Sequence, residues 1–169
     1  MNTEELLQVM KSDAFTSKYN CYVLPLDHFL QRSFTKSSLV VFNYDNSNES
    51  GSHWVAVFIG NNQNVEYFDS YAYPPLNHSL AQKMKILSHD KEIVYNKTCF
   101  QGNSSVCGQY CLVYFLLRTR GCIMSDIKRI LLMCKSTIER DNIVNYFINQ
   151  TFSNLFMSPL NVHNNKLEL

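Results

Sequence analysis

Apolar residues recur at three- and four-residue spacing in four stretches of the chain, which predicts four amphipathic helices. The first covers 3–12 (TEELLQVMKS), the second Pro74–His89, and two more follow at about 125–135 and about 139–152. The side chains expected to cap the first and third helices are Thr3 and Ser125. The positions expected to face inward are Leu80, Met84, Leu87, Ile127, Ile130, Leu131, Cys134, Ile143, Phe147, Ile148 and Phe152.

Runs of β-branched and aromatic residues lie in the middle of the chain and predict strands. They are Ser38–Tyr44, His53–Ile59, Val65–Asp69 and Glu92–Tyr95. The segment after the first helix, which contains Leu24-Pro25-Leu26-Asp27, is expected to be a loop. Helices at both ends and strands in the middle predict an α+β fold. Its centre would be a mixed, mostly antiparallel sheet flanked by helices.

Residues 101–118 (QGNSSVCGQYCLVYFLLR) combine a polar loop with a strongly apolar helix. The loop leads into Cys107-Gly108, and eight apolar or aromatic residues then run without a break from Tyr110 to Leu117. A helix N-terminus presents free N–H groups and the positive end of the dipole, which both favour thiolate over thiol. Cys107 is therefore a candidate nucleophile at the start of a buried helix. The alternative is a cysteine that only packs in the core, which is the commoner case for a lone cysteine.

The two central strands predict a hairpin whose open end carries a histidine and an aspartate. With the turn centred on Asn61, Val55 pairs with Tyr67, and His53 pairs with Asp69. A carboxylate in that position would fix the tautomer of the imidazole and stabilise the imidazolium. The alternative is an edge histidine beside a solvated aspartate, and a one-residue slip would separate the two side chains.

Length and composition predict one domain over residues 1–169, with 158–169 as a frayed tail. A net charge of +1 gives no reason to expect strong binding to nucleic acid or membranes. The N-terminus does not resemble a signal peptide, and no apolar run reaches the roughly 18–20 residues that span a bilayer. The six cysteines include no C-x-x-C pair and no zinc-ligand spacing with histidine, so we expect reduced thiols and no metal. We expect a monomer that is not secreted.

Together these side chains predict nucleophilic catalysis by a thiol. The histidine would take the thiol proton, and the aspartate would orient the histidine. Acyl transfer also needs donors directed at the tetrahedral oxyanion. The Cys107 backbone N–H is one candidate, and the side-chain amide of Gln101 is the second. Gly102 and Gly108 permit tight backbone around the site.

The ordered motifs resemble one family of cysteine proteases. His53-Trp54, Tyr67-Phe68-Asp69-Ser70 and Gln101-Gly102-x4-Cys107-Gly108 are similar to the adenovirus maturation protease, adenain, and its clan. That clan includes the Ulp1-type proteases of SUMO and other ubiquitin-like proteins, and proteases of large DNA viruses, virophages and Polinton-type elements. The resemblance covers roughly residues 3–155 and implies the adenain fold, with the catalytic cysteine at the N-terminus of a buried central helix.

The resemblance implies a role for each matching residue. Cys107 would be the nucleophile, His53 the general base, Asp69 the orienting acid and Gln101 the oxyanion donor. The residues expected to border the substrate are Gly51, Ser52, Trp54 and Gly108, although Trp54 could equally be a core aromatic. The implied reaction is peptide hydrolysis through an acyl-enzyme. Its substrates would bind extended in a narrow groove beside the 45–52 loop, often with glycine near the scissile bond.

The chain also departs from adenain. Its third catalytic residue is aspartate where adenain commonly has glutamate. Activation by DNA would fit a strongly basic protein, and Cys99 lies too close to Gln101 to match the cysteine that links adenain to its viral peptide. We therefore predict no cofactor, while a viral peptide stays open as an activating partner. Cys111, one turn after Cys107, is expected to pack in the core.

The resemblance leaves three functions open. The first is a maturation protease that cleaves capsid or core precursors, located in the virion and the host-cell virus factory. The second is a protease that removes SUMO or ubiquitin-like proteins, and the third is an inactive binding module. The presence of all four site residues argues against the third function. The small size favours the first over the second, and the asparagine-rich composition agrees with a virophage or transposon-virus source.

Overall fold

The computed structural model describes residues 1–62, 64–75 and 77–157. The helices are α1 (Thr3–Ser12), α2 (Leu26–Gln31), α3 (His78–Ser88), α4 (Cys107–Arg118), α5 (Met124–Leu131) and α6 (Thr137–Met157). The strands are β1 (Asn20–Leu24), β2 (Ser38–Asn43), β3 (Trp54–Ile59), β4 (Val65–Phe68) and β5 (Val94–Tyr95). None of the described helices is long and apolar enough to cross a membrane.

The strands form one sheet in the order β1-β2-β3-β4-β5. The inner strands β2, β3 and β4 pair antiparallel, while β1 pairs parallel with β2 and β5 pairs parallel with β4. The prediction of an α+β fold around a mixed sheet is therefore confirmed. Its antiparallel pairings lie at the centre, and its parallel pairings lie at both edges.

Side chains of β3 alternate between two apolar layers, because successive residues of a strand point to opposite faces. Ala56 and Phe58 pack in the layer that contains α1, α4, α5 and α6, whereas Val55 and Val57 pack in the layer with α2 and α3. The first layer buries most of α4. The start of α4 lies beside the start of β3, where His53 precedes the strand.

Residues 20–31 are not the predicted loop but form β1 and α2. β1 is a short edge strand whose residues are mostly half-exposed, so it lacks the apolar run that marked the inner strands. α2 has only six residues and follows Pro25 directly. Both elements are too short for a periodic pattern to show, and both depend on packing against β2.

The caps of α1 and α5 and the start of α3 differ from the predicted ones; in α1 and α3 an asparagine side chain accepts hydrogen bonds from N–H groups of the first turn. The cap of α1 is Asn2, not Thr3; its side chain accepts from the Glu5 N–H at 2.9 Å. α3 begins at His78 instead of Pro74, and Asn77 caps it. The predicted cap of α5, Ser125, lies within that helix.

The last helix exposes residues that the periodicity placed inside. Val144 and Ile148 are buried, while Ile143 and Phe147 are each 50% exposed. The two pairs have the same four-residue spacing on adjacent faces, so spacing alone could not choose between them. The other residues predicted to face inward have mixed outcomes. Those confirmed as buried are Leu80, Met84, Ile127, Leu131 and Ile148. Leu87 and Cys134 are half-buried, and Ile130 is 37% exposed. The side chain of Phe152 lies outside the described part of the chain.

Candidate active site

Cys107 is the first residue of α4, as predicted. Its side chain is 9% exposed, and the backbone N–H groups of Trp54 and Gly108 donate to its sulfur. Cys111 lies one turn later and is 1% exposed, and burial raises the pKa of its thiol well above the usual value. Cys107, rather than Cys111, is therefore the thiol of α4 that can ionise.

His53 and Asp69 meet beside this thiol. Nε2 of His53 lies 3.0 Å from Oδ1 of Asp69, whose side chain is fully buried. Because Nε2 is bonded to the carboxylate, Nδ1 is the ring nitrogen left for Cys107, which lies close enough for each group to shift the pKa of the other. The structure thus brings together three of the four predicted catalytic side chains in the order carboxylate, imidazole, thiol.

The hairpin that joins these residues has a register two residues away from the predicted one. Tyr67 pairs with Val57 instead of Val55. An even shift keeps every side chain on its own face, whereas an odd shift would have reversed the faces. His53 and Asp69 therefore share a face, although they meet diagonally and not as a directly opposed pair.

The shift originates in the turn. The Gly60 N–H donates to the Asn64 carbonyl at 2.9 Å, and Ile59 pairs with Val65. A turn centred on Asn61 would pair Ile59 with Gln63 and leave three residues between them, whereas five residues separate Ile59 from Val65. The predicted register was wrong for this reason.

The thiol and the imidazole shift each other's pKa. Burial by itself lowers the pKa of His53, but hydrogen bonds to Asp69 and Cys107 outweigh it and raise that pKa to about 9. Burial by itself raises the pKa of Cys107, but the hydrogen bond from His53 and two backbone N–H groups bring it below the ordinary thiol value. The arrangement therefore favours a thiolate–imidazolium pair near neutral pH.

Gln101 is held by hydrogen bonds on both sides of its amide. Its Oε1 accepts from Ser70 Oγ at 2.7 Å, and its Nε2 donates to the Ser104 carbonyl at 2.5 Å. Since a carbonyl oxygen can only accept, Ser104 fixes which end of the amide is nitrogen. The second hydrogen of Nε2 remains for an acceptor such as a substrate oxyanion.

Comparisons with known proteins lead to cysteine proteases. No established family profile matches the chain. A protein of Acanthamoeba polyphaga mimivirus, provisionally named a thiol protease, is 36% identical over 78 residues. That match covers 41% of this chain and only 26% of the mimivirus protein, so the chain spans a small part of that relative.

Solved structures match over more of the chain. A protease of African swine fever virus superposes with a TM-score of 0.59 at 14% identity, covering 85% of this chain and 66% of that one. ChlaDub1 of Chlamydia trachomatis gives 0.52 at 18% identity, covering 72% and 62%. The Chlamydia trachomatis effector Cdu1, solved bound to ubiquitin, gives 0.51 at 17% identity, covering 80% and 70%. The chain shares the fold of these three proteins. The fold that the adenain resemblance implied is confirmed.

Two polar residues outside the predicted set brace the candidate catalytic side chains. Asn96, just after β5, accepts from the Asp69 N–H at 2.9 Å and donates to the Asp69 carbonyl at 2.6 Å. Asp141, on α6, accepts from the Gly102 N–H at 3.0 Å and from Ser104 Oγ at 2.7 Å. Asn96 thus fixes the carboxylate's backbone, and Asp141 fixes the loop that carries Gln101.

Asp141 approaches the backbone of this loop closely at Gly102. A Cβ on Gly102 would lie 3.1 Å from Asp141 Oδ2, closer than most such contacts allow. The other oxygen of Asp141 accepts from the Tyr110 hydroxyl at 2.8 Å. One buried carboxylate therefore links the loop, the first turn of α4 and the start of α6. The sequence alone gave Asp141 no periodicity or motif that would have singled it out.

Aromatic rings hold the histidine on two sides. The Tyr44 ring stacks on His53 with centroids 5.8 Å apart and planes 13° apart. The Tyr71 ring lies 5.1 Å from His53 at 38°. The Tyr71 N–H also donates to Asp69 Oδ1 at 2.8 Å, so one residue contacts both members of the pair. The imidazole therefore has little freedom to rotate away from the thiol.

The four residues predicted to border the substrate lie around this site. Gly51 is exposed with φ of +85°, a conformation that favours glycine, and it lines a surface depression with Met1 and Trp54. Trp54 is half-buried, and its indole N–H donates to the Met1 carbonyl at 3.3 Å. Gly108 is buried, and a Cβ there would come within 3.3 Å of Trp54. Ser52 is exposed and lies beside His53. Their contact with substrate stays a prediction.

Proposed function

We propose that this protein is a cysteine endopeptidase with Cys107 as nucleophile. The observation that carries the proposal is His53, which bonds a fully buried carboxylate at 3.0 Å and lies beside the thiol at the start of α4. A histidine that only packs in a core needs no such pair of partners. The mimivirus match and the shared protease fold support the same chemistry.

The residues suggest the following sequence of steps. The Cys107 thiolate attacks the substrate carbonyl, and the oxyanion accepts hydrogen bonds from Gln101 Nε2 and the Cys107 N–H. The His53 imidazolium gives its proton to the departing amine, which breaks the peptide bond and leaves an acyl-enzyme. Water then attacks the acyl carbonyl while the neutral imidazole takes its proton, and the C–S bond breaks to release the acid and restore the thiolate–imidazolium pair. Asp69 keeps the imidazole in place throughout.

The pH dependence of this reaction should show the raised pKa of His53. We expect kcat/KM to fall as the pH rises through about 9, because the imidazolium that protonates the leaving amine is then lost. Alkylation of Cys107 by iodoacetamide needs only the thiolate, so its rate should not fall in that range. Asp69→Asn should move the alkaline limb to lower pH, since the carboxylate supports the imidazolium. Identical profiles for hydrolysis and alkylation would contradict this assignment.

We propose capsid or core precursors as substrates, with the virion and the host-cell virus factory as the sites of action. The viral source of the mimivirus relative and of the African swine fever virus protease supports this choice. A protease acting on ubiquitin or a similar modifier is the second candidate, because Cdu1 was solved with ubiquitin bound. A viral peptide as an activating partner and a monomeric state also remain proposals.

One experiment separates these two substrate classes. The protein is incubated with capsid proteins encoded beside it and, in parallel, with fusions that end in ubiquitin or SUMO, and new termini are mapped by mass spectrometry. Cleavage within the capsid proteins, with intact fusions, is the expected result. Cleavage directly after the modifier would support the second candidate instead, and cleavage of neither set would count against the proposed peptidase. Cys107→Ala serves as the control for contaminating proteases.

A further inference from the structure

A second depression begins at His53 and is distinct from the one beside Trp54. Tyr44, Tyr71, Tyr73 and Pro74 supply most of its apolar lining, and Ser52 and Asn77 stand at its margin. Tyr73 is 59% exposed, and its ring lies 5.9 Å from that of Tyr71 at 42°. Tyr44, Tyr71, Tyr73 and Pro74 thus form an apolar surface next to the imidazole of His53. We call this surface the tyrosine cleft.

Three hydroxyl groups around the tyrosine cleft are already bonded inside the protein. The Tyr44 hydroxyl bonds that of Tyr67, and the Tyr71 hydroxyl donates to the Ser104 carbonyl at 3.4 Å. The Ser52 hydroxyl donates to Asp45 at 2.8 Å. What these side chains offer to a ligand is therefore the carbon faces of their rings, which bind apolar and aromatic groups.

The position of His53 relative to the scissile bond decides which part of a substrate reaches this surface. His53 must lie next to the departing amine to protonate it, so the chain that follows the scissile bond passes over the imidazole. The tyrosine cleft starts at that same ring. Resting on the proposed peptidase function, we propose that the tyrosine cleft binds an apolar side chain, preferably aromatic, one or two residues after the scissile bond.

A peptide library whose cleavage products are sequenced by mass spectrometry tests this. We expect phenylalanine, tyrosine, leucine or isoleucine to be enriched at the first or second position after the cleaved bond. Tyr73→Ala should reduce kcat/KM for such peptides about two- to tenfold, the range expected for one lost ring contact. Tyr73→Phe keeps the ring and should retain the preference. Tyr146→Ala, at a tyrosine of α6 that is 67% exposed, is the matched surface control and should change nothing.

A peptide with two glycines after the scissile bond distinguishes binding from a structural effect. It has the same residues before the bond, and its glycines carry no side chain that could fill the tyrosine cleft. Wild type and Tyr73→Ala should hydrolyse it equally, and an equal loss on both substrates would overturn the proposal. Cleavage with no preference after the bond, or with selection of charged residues there, overturns the cleft assignment but leaves the peptidase intact. A library that is not cleaved at all overturns the peptidase and the cleft together.

Discussion

Replacing Cys107 with alanine is expected to abolish peptide cleavage while the protein stays folded. Loss of the nucleophile in a hydrolase triad lowers kcat by about 10⁶-fold, and neither Gln101 nor His53 can replace the sulfur. The side chain lies at the start of α4 with 9% exposure, so its removal should change the free energy of unfolding by no more than about 1 kcal/mol. Cleavage of a fluorogenic peptide and thermal unfolding of both proteins measure the two effects.

The matched control is Cys111→Ala, which removes the other cysteine on the inner side of α4. Burial raises the pKa of that thiol, and no step of the proposed reaction uses it. Peptidase activity should persist in this variant, and iodoacetamide should still label Cys107 rapidly near neutral pH. Retained cleavage by Cys107→Ala, or faster labelling of Cys111 than of Cys107, would show that the reactive thiol has been misassigned.

The histidine–aspartate pair was predictable despite an error in the strand register. Alternation of side chains depends only on whether a shift is odd or even, and the hairpin is shifted by two residues. Local apolar runs also sufficed for the inner strands and α4, because those elements are buried along most of their length. Side-chain alternation and apolar runs each extend over several residues, so one wrongly placed turn did not change what they predict.

The bracing residues could not have been found in the same way. Asn96 meets Asp69 across 27 positions of the chain, and Asp141 meets Gly102 across 39. Each is a single polar residue that belongs to no periodic pattern, and its hydrogen-bond partner lies far away in the sequence. Their roles follow from burial, since an amide and a carboxylate at 5% and 6% exposure must have hydrogen-bond partners, and the backbone around the site supplies them.

Hydrogen bonds hold the loop that carries Gln101 in place. Ser70 and Ser104 hold the Gln101 amide, and Asp141 holds the loop backbone from α6. A donor held in place before the reaction does not have to reorganise as charge develops on the substrate oxygen. Removing the Gln101 amide should therefore raise the free energy of the transition state more than that of the bound substrate. Removing a residue that only contacts the peptide should raise both.

Gln101→Ala is accordingly expected to lower kcat by about 10²–10³ with little change in KM. Alanine also leaves the Ser70 hydroxyl and the Ser104 carbonyl without their partner, so a drop in stability accompanies it. Gln101→Glu resolves the two effects, because its carboxylate can still accept from Ser70 but cannot donate to an oxyanion. Stopped-flow measurement of acylation should show a loss of rate in Gln101→Glu at least as large as in Gln101→Ala, because the added negative charge opposes the oxyanion. A loss under tenfold in Gln101→Glu would mean that backbone N–H groups at the start of α4 stabilise the oxyanion without the amide.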